Sequence, residues 1–105
     1  MANSPTTRSL AHLRERGYVV AVVERWNPYA RIRQDLFGFG DLLALGDDEV
    51  IIVQTTSSAN MAARIAKITE HPNLPAVRRA GIRIVVHGWR KSSAGTWTLR
   101  ETDIS

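Results

Sequence analysis

A chain of 105 residues, 44% of them apolar and 23% charged, has the size and composition of a single globular domain, residues 1–105, with a core of its own. A formal net charge of +4 and a pI of about 10.3 favour polyanionic partners. The chain has no Cys, which excludes disulfides and thiolate metal sites, and no apolar run approaches the ~20 residues of a membrane span.

Met1 to Ser4 is expected to be a frayed end. Ser4-Pro5 is a helix start, with Ser as N-cap and Pro at the first helical position; Leu10 and Leu13 supply an apolar face and Gly17 a stop. The first fifteen residues are polar, so no signal peptide is expected and the cytoplasm is the expected location. Tyr18 to Val23 is β-branched and apolar on both faces, which predicts a buried central strand. Arg25 to Gln34 has no clean period. It holds the turn signal Asn27-Pro28 and mixes Arg25, Arg31 and Arg33 with Trp26 and Tyr29. Such a segment suits either a nucleic-acid surface or a loop packed on the fold.

The stretch Phe39 to Thr56 reads as a hairpin, two apolar runs around the polar loop Gly46-Asp47-Asp48-Glu49. If Leu45 pairs with Val50, antiparallel register places Asp41 opposite Gln54, and side-chain alternation puts Thr56 on the face of Gln54. One acid and two polar groups then converge at the open end of an apolar hairpin; a slip of one residue would separate them. Asp47, Asp48 and Glu49 read as a solvated turn.

Ser57 or Ser58 can cap a helix to about Glu70, with Met61, Ile65 and Ile68 as its apolar face and Asn60, Arg64 and Lys67 as a polar stripe. That stripe is either a solvated face or, near a helix N-terminus, the wall of a phosphate site. Leu74-Pro75 opens a shorter helix to Ala80, and Ile82 to Val86 is a strand. Gly88 to Lys91 begins a turn region with Ser92 to Gly95 at its tip, and Thr96 to Arg100 is a last strand hairpinned to the previous one. Trp89 and Trp97 are assigned to packing, and His12, His71 and His87 fit no zinc spacing. Charge is segregated along the chain. Residues 1–34 carry six Arg against two Glu, residues 35–49 five acids and no base, and residues 50–105 eight bases against three acids.

The expected order is helix, three strands, two helices, two strands: an α/β sandwich around a mixed sheet. With Gly40-Asp41 opening one strand of the hairpin and Gln54-Thr55-Thr56 ending the next, this order resembles the PD-(D/E)XK nuclease superfamily, whose compact members are Holliday-junction-resolvase-like and restriction-endonuclease-like. The resemblance runs from about Pro5 to Val86 and implies a restriction-endonuclease-like αβββαβ fold. Asp41 matches the family's Asp. The acid-x-Lys triplet has become Gln54-Thr55-Thr56, without its acid and its Lys.

The resemblance implies an endonuclease acting on duplex or branched DNA by Mg²⁺-assisted phosphodiester hydrolysis. It implies Asp41, Gln54, Thr56 and Lys67 as catalytic residues, with Lys67 replacing the missing triplet Lys. The Gln54 carbonyl brings no charge to a metal that prefers anionic oxygen, so metal affinity is expected to be weak unless Glu24 or Asp35 assists. The metal set expected is Asp41, Gln54 and Glu24. DNA contacts are expected from Arg25, Arg31, Arg33, Asn60 and Arg64. A homodimer is expected because related enzymes commonly act as dimers on two strands. The alternatives are a nuclease-fold DNA-binding module without catalysis, and an interaction protein that binds no nucleic acid. The placement of Glu24, Asp35 and Lys67 around Asp41 bears most directly on the choice.

Overall fold

In the computed structural model, which describes residues 4–105, the chain folds as an α/β protein around a five-stranded mixed sheet. Met1–Asn3, read above as part of a frayed terminus, lie outside the described residues. Helix α1 (Pro5–Glu15) starts as its sequence dictates: the Ser4 hydroxyl accepts the Thr7 N–H at 3.1 Å, and Pro5 follows. After it come β1 (Val19–Val22), β2 (Arg25–Asn27), β3 (Ile32–Gln34), β4 (Leu42–Leu45) and β5 (Val50–Ser57). A 3₁₀ turn (Ser58–Asn60) leads to α2 (Met61–Thr69), α3 (Leu74–Arg79), β6 (Arg83–Lys91) and β7 (Trp97–Asp103).

The sheet order is β1-β4-β5-β6-β7, and β2 and β3 form a separate two-stranded ribbon. β5 and β6 are parallel, joined through α2 and α3; the other neighbours are antiparallel. The first half of β5, Val50 to Val53, is continuously apolar because the sheet is covered on both faces at its centre. Ile51 and Val53 pack with Leu13 of α1, Val20, Leu42 and Val85, while Ile52 packs with Met61, Ile68, Leu74, Val77 and Ile84 on the α2–α3 side. Each such buried aliphatic side chain contributes about 1.5–3 kcal/mol of transfer free energy.

Three expectations need correction. Tyr18 to Val23 does not form a central strand: β1 is an edge strand, with Val19 70% exposed, Val22 50% exposed and only Val20 buried. An apolar run reports what a strand could bury, and here only the α1 face of β1 is covered. Gly88 to Lys91 does not turn; β6 continues to Lys91, and the reversal waits for Ser92–Gly95. The segment Arg25 to Gln34 is an ordered ribbon. Its turn forms because the Asn27 carboxamide oxygen accepts the N–H groups of Tyr29 and Ala30 at 3.0 and 3.1 Å, with Arg31 in the left-handed region at φ 55°. The ribbon projects into solvent, with Tyr29 at its tip 97% exposed. Among the described residues no helix is long and apolar enough to cross a membrane.

Candidate active site

The β4–β5 hairpin has the register its sequence predicts, Leu45 opposite Val50 and Leu42 opposite Val53. At its open end the ladder shifts by one residue, for Asp41 N donates to Val53 O at 2.9 Å, so the expected pairing of Asp41 opposite Gln54 does not form and the two meet through their side chains instead. Beyond this point the chain turns away from β5, and the Asp41 side chain takes over the role of the departing strand. Its Oδ2 accepts the Thr55 backbone N–H at 2.8 Å, the Gln54 Nε2–H at 2.6 Å and the Thr55 hydroxyl at 3.2 Å. Val23 N donates to Asp41 O from the other side, at 2.9 Å. Asp41 is thus buried and held from both neighbouring strands.

Two further carboxylates reach it through backbone register. Leu36 and Gly40 exchange both backbone bonds at 2.8 Å, so the step before Leu36 brings Asp35 across from Asp41. In the ribbon Arg25 pairs with Gln34, and the next step brings Glu24 across from Asp35. Carboxylate oxygens of Glu24, Asp35 and Asp41 lie within 4.8 Å of one another. The reversal between Asp35 and Asp41 is tight. Gly38 adopts φ +95° against the His71 ring, and a Cβ on Gly40 would stand 2.8 Å from Ile52 Cγ2. Gly40, where the resembled family often has Pro, is required here by that close approach.

Like charges at about 5 Å repel by roughly 3 kcal/mol per pair at an effective dielectric near 20. Asp41 responds most: burial, then the charges of Asp35 and Glu24, push its carboxyl up to about 7 against the opposing Thr55 N–H. Asp35 is also raised, by burial and by Glu24, and held back by Asp41, Arg64 and Arg33. A group of hard anionic oxygens that resist joint ionisation fits a divalent cation such as Mg²⁺. Glu24 is further bound by Arg33 Nη1 at 3.3 Å and by the Thr6 hydroxyl at 3.4 Å.

The three acids open on a cleft of about 550 Å³, lined also by Thr6, Arg33, Thr55, Thr56, Asn60 and Arg64. A second cleft of about 410 Å³ adjoins it, with Asp35 and Arg64 in both walls and Gln54, Lys67 and His71 beyond. Of the residues singled out in the sequence, Asp41, Thr56, Glu24, Arg33, Asn60 and Arg64 therefore share the first cleft, and Gln54 and Lys67 line the second. Gln54 turns its amide N–H to Asp41, and Asp35 completes the acidic group that Gln54 was expected to join. Arg25 and Arg31 stand exposed on the ribbon, outside both clefts.

Sequence reasoning passed over Thr55 and Thr6. Their hydroxyls meet at 2.7 Å and tie the first turn of α1 to the end of β5. Strand alternation signals that Thr55 faces α1, whereas nothing local announces its bond to Asp41. Sequence reasoning also missed a buried relay beneath α1. Glu101 Oε1 accepts from His87 Nε2 at 3.0 Å, which leaves Nδ1 to accept the Ser9 hydroxyl at 2.9 Å; Ser9 Oγ in turn accepts the Trp89 indole N–H at 2.8 Å. Burial holds His87 neutral and pushes it down to about 4, against the pull of Glu101. No family model matches this chain, and no curated protein sequence matches it at a significant level.

Proposed function

We propose that this chain is a metal-assisted nuclease of restriction-endonuclease-like αβββαβ fold, acting on DNA phosphodiesters. The observation that carries the reading is the trio Glu24, Asp35 and Asp41, within 4.8 Å of one another in a cleft whose walls also bear Arg33 and Arg64. Glu24, Asp35 and Asp41 would hold Mg²⁺. Bound there, the ion would polarise a phosphodiester and lower the pKa of a water. The chain's own residues divide the remaining work. Thr55 and Gln54 fix the Asp41 carboxylate through Oδ2. Arg64 and Arg33 supply positive charge for a phosphate, and Asn60 and Thr56 offer uncharged polar groups at the end of β5. Lys67 offers an ammonium in the adjoining cleft, beside Asp35.

A second reading, a nuclease-fold module that binds DNA without cutting it, is favoured by one observation: Lys67 lines the cleft beside the one that holds Asp41, and among the described residues no Lys lines the acidic cleft itself. Incubation with plasmid and with branched synthetic DNA, in Mg²⁺ or in EDTA, decides between them. The nuclease reading expects Mg²⁺-dependent cleavage that Asp41→Asn and Asp35→Asn abolish while DNA binding persists. Binding without cleavage by the parent supports the module, and cleavage undiminished in Asp41→Asn overturns the assigned site.

A further inference from the structure

β6 outruns its parallel neighbour. The last β5–β6 pair is Ser57 with Trp89, so Arg90, Lys91 and the turn beyond them project past the end of β5, the end at which the acidic group sits. β7 returns antiparallel, Arg90 opposite Thr98 and Gly88 opposite Arg100. Side-chain alternation places Arg90 and Arg100 on one face of this hairpin as a diagonal pair, with backbones roughly 7–8 Å apart. Between that face and the 3₁₀ turn lies a groove of about 250 Å³ lined by Ser58, Gly88, Thr98 and the two arginines. Ser58 follows Ser57, which walls the acidic cleft, so the turn divides cleft from groove.

The charges of this hairpin are unbalanced in a directed way. Arg83, at the far end of β6, is tied to both Glu49 and Asp103. At the near end Arg90, Lys91 and Arg100 are exposed, and among the described residues no carboxylate lies within salt-bridge distance of any of them. On the opposite face of the hairpin the Arg8 guanidinium lies 3.5 Å over the Trp97 ring, also without an acid partner among the described residues, and that indole remains 41% exposed. Unpaired cations set along one face, at a spacing a single small anion does not need, match a repeating polyanion better than they match a single free phosphate.

We propose that the β6–β7 hairpin is a second nucleic-acid-binding arm, with Arg90 and Arg100 taking backbone phosphates of the DNA that enters the acidic cleft. The proposal rests on the nuclease-fold reading of that cleft for the path of the DNA. It adds a binding surface on the side of the cleft away from the β2–β3 ribbon, so that DNA would lie across the end of β5 between two basic hairpins.

The test is fluorescence anisotropy of labelled duplex and single-stranded DNA over a salt series, with cleavage measured in parallel. The proteins are the parent, Arg90→Ala/Arg100→Ala, and Arg79→Ala on α3 as a control. Removing one phosphate-binding cation lowers the magnitude of the slope of log K against log salt by about 1. The double variant is therefore expected to reduce the slope by about 2, and Arg79→Ala to leave it unchanged. A double variant with the parent's slope and affinity overturns the arm, even if the parent cleaves DNA. A slope that depends on Arg90 and Arg100 in a parent that never cleaves supports the arm while the nuclease reading falls. A parent that binds no DNA overturns both. Thermal melting of each variant separates weakened DNA binding from unfolding.

Discussion

Asp41→Asn removes one charge from the acidic trio while keeping an oxygen that can accept from Thr55 N and Gln54 Nε2. In the parent, at a pH above about 7 and without metal, Asp41 is ionised within 4.8 Å of two other carboxylates. Two repulsions of about 3 kcal/mol each are an upper bound, because Glu24 and Asp35 are partly solvated and Arg33 and Arg64 screen them. The substitution also weakens three charge-assisted hydrogen bonds, by roughly 1 kcal/mol each. The net is a gain of about 1–2 kcal/mol, read as a rise of roughly 5–10 °C in Tm for a domain of this size. Asp41→Ala relieves the same repulsion but strands the buried Thr55 N–H and Gln54 amide, so it should lie about 2–5 kcal/mol below Asp41→Asn. Mg²⁺ should reverse the order. At a hundredfold excess over its Kd it stabilises the parent by about 2.7 kcal/mol and Asp41→Asn by much less. The sign with pH follows from the raised carboxyl. The folded chain keeps a proton that the unfolded chain has lost, so this contribution is full below about 3.8 and disappears as pH rises through about 7. The assay is thermal melting followed by circular dichroism, in EDTA and in Mg²⁺, from pH 5 to 8. If Asp41→Asn melts no higher than the parent without metal above pH 7, or if Mg²⁺ lifts both variants as far as the parent, the electrostatic reasoning is wrong; if Asp41→Asn melts no higher than Asp41→Ala, the hydrogen bonds to Thr55 and Gln54 carry nothing.

Gln54→Glu should add a fourth carboxylate against Asp41 in place of a donor, lowering the metal-free Tm by roughly 10–20 °C, with recovery in Mg²⁺; equal melting of parent and variant in EDTA would count against the packing described. Ser9→Ala leaves the Trp89 N–H and His87 Nδ1 without partners in a buried site and should cost about 2–4 kcal/mol in chemical denaturation. His87 is held neutral, so its contribution is complete above about 6.5 and is lost as pH falls toward about 4; a His87→Gln chain should show a shallower loss of stability across that window. Gly88→Ala drives a Cβ into Met61 Sδ and should cost about 1–3 kcal/mol, and relief by a further Met61→Ala would confirm the clash.

The residues themselves specified much of this molecule. Ser4-Pro5 set the start of α1, Asn27-Pro28 the turn of the ribbon, and the apolar runs around Gly46–Glu49 a hairpin whose register, Leu45 opposite Val50, carries Asp41 to the end of β5 that holds Gln54. These are short-range effects of capping, turn chemistry and period-two alternation, and they are legible because each is decided by neighbours in the chain. The edge position of β1 and the reach of β6 past β5 were decided by which elements pack beside them, and apolar pattern does not encode a neighbour's identity. The acidic trio was decided the same way. Glu24, Asp35 and Asp41 are spread over eighteen residues, and they meet only because two successive register steps, Arg25 with Gln34 and Leu36 with Gly40, fold the chain back on itself. The sequence held all three carboxylates; the backbone pairing of a ribbon and the tight reversal from Leu36 to Gly40 determined that they share one cleft.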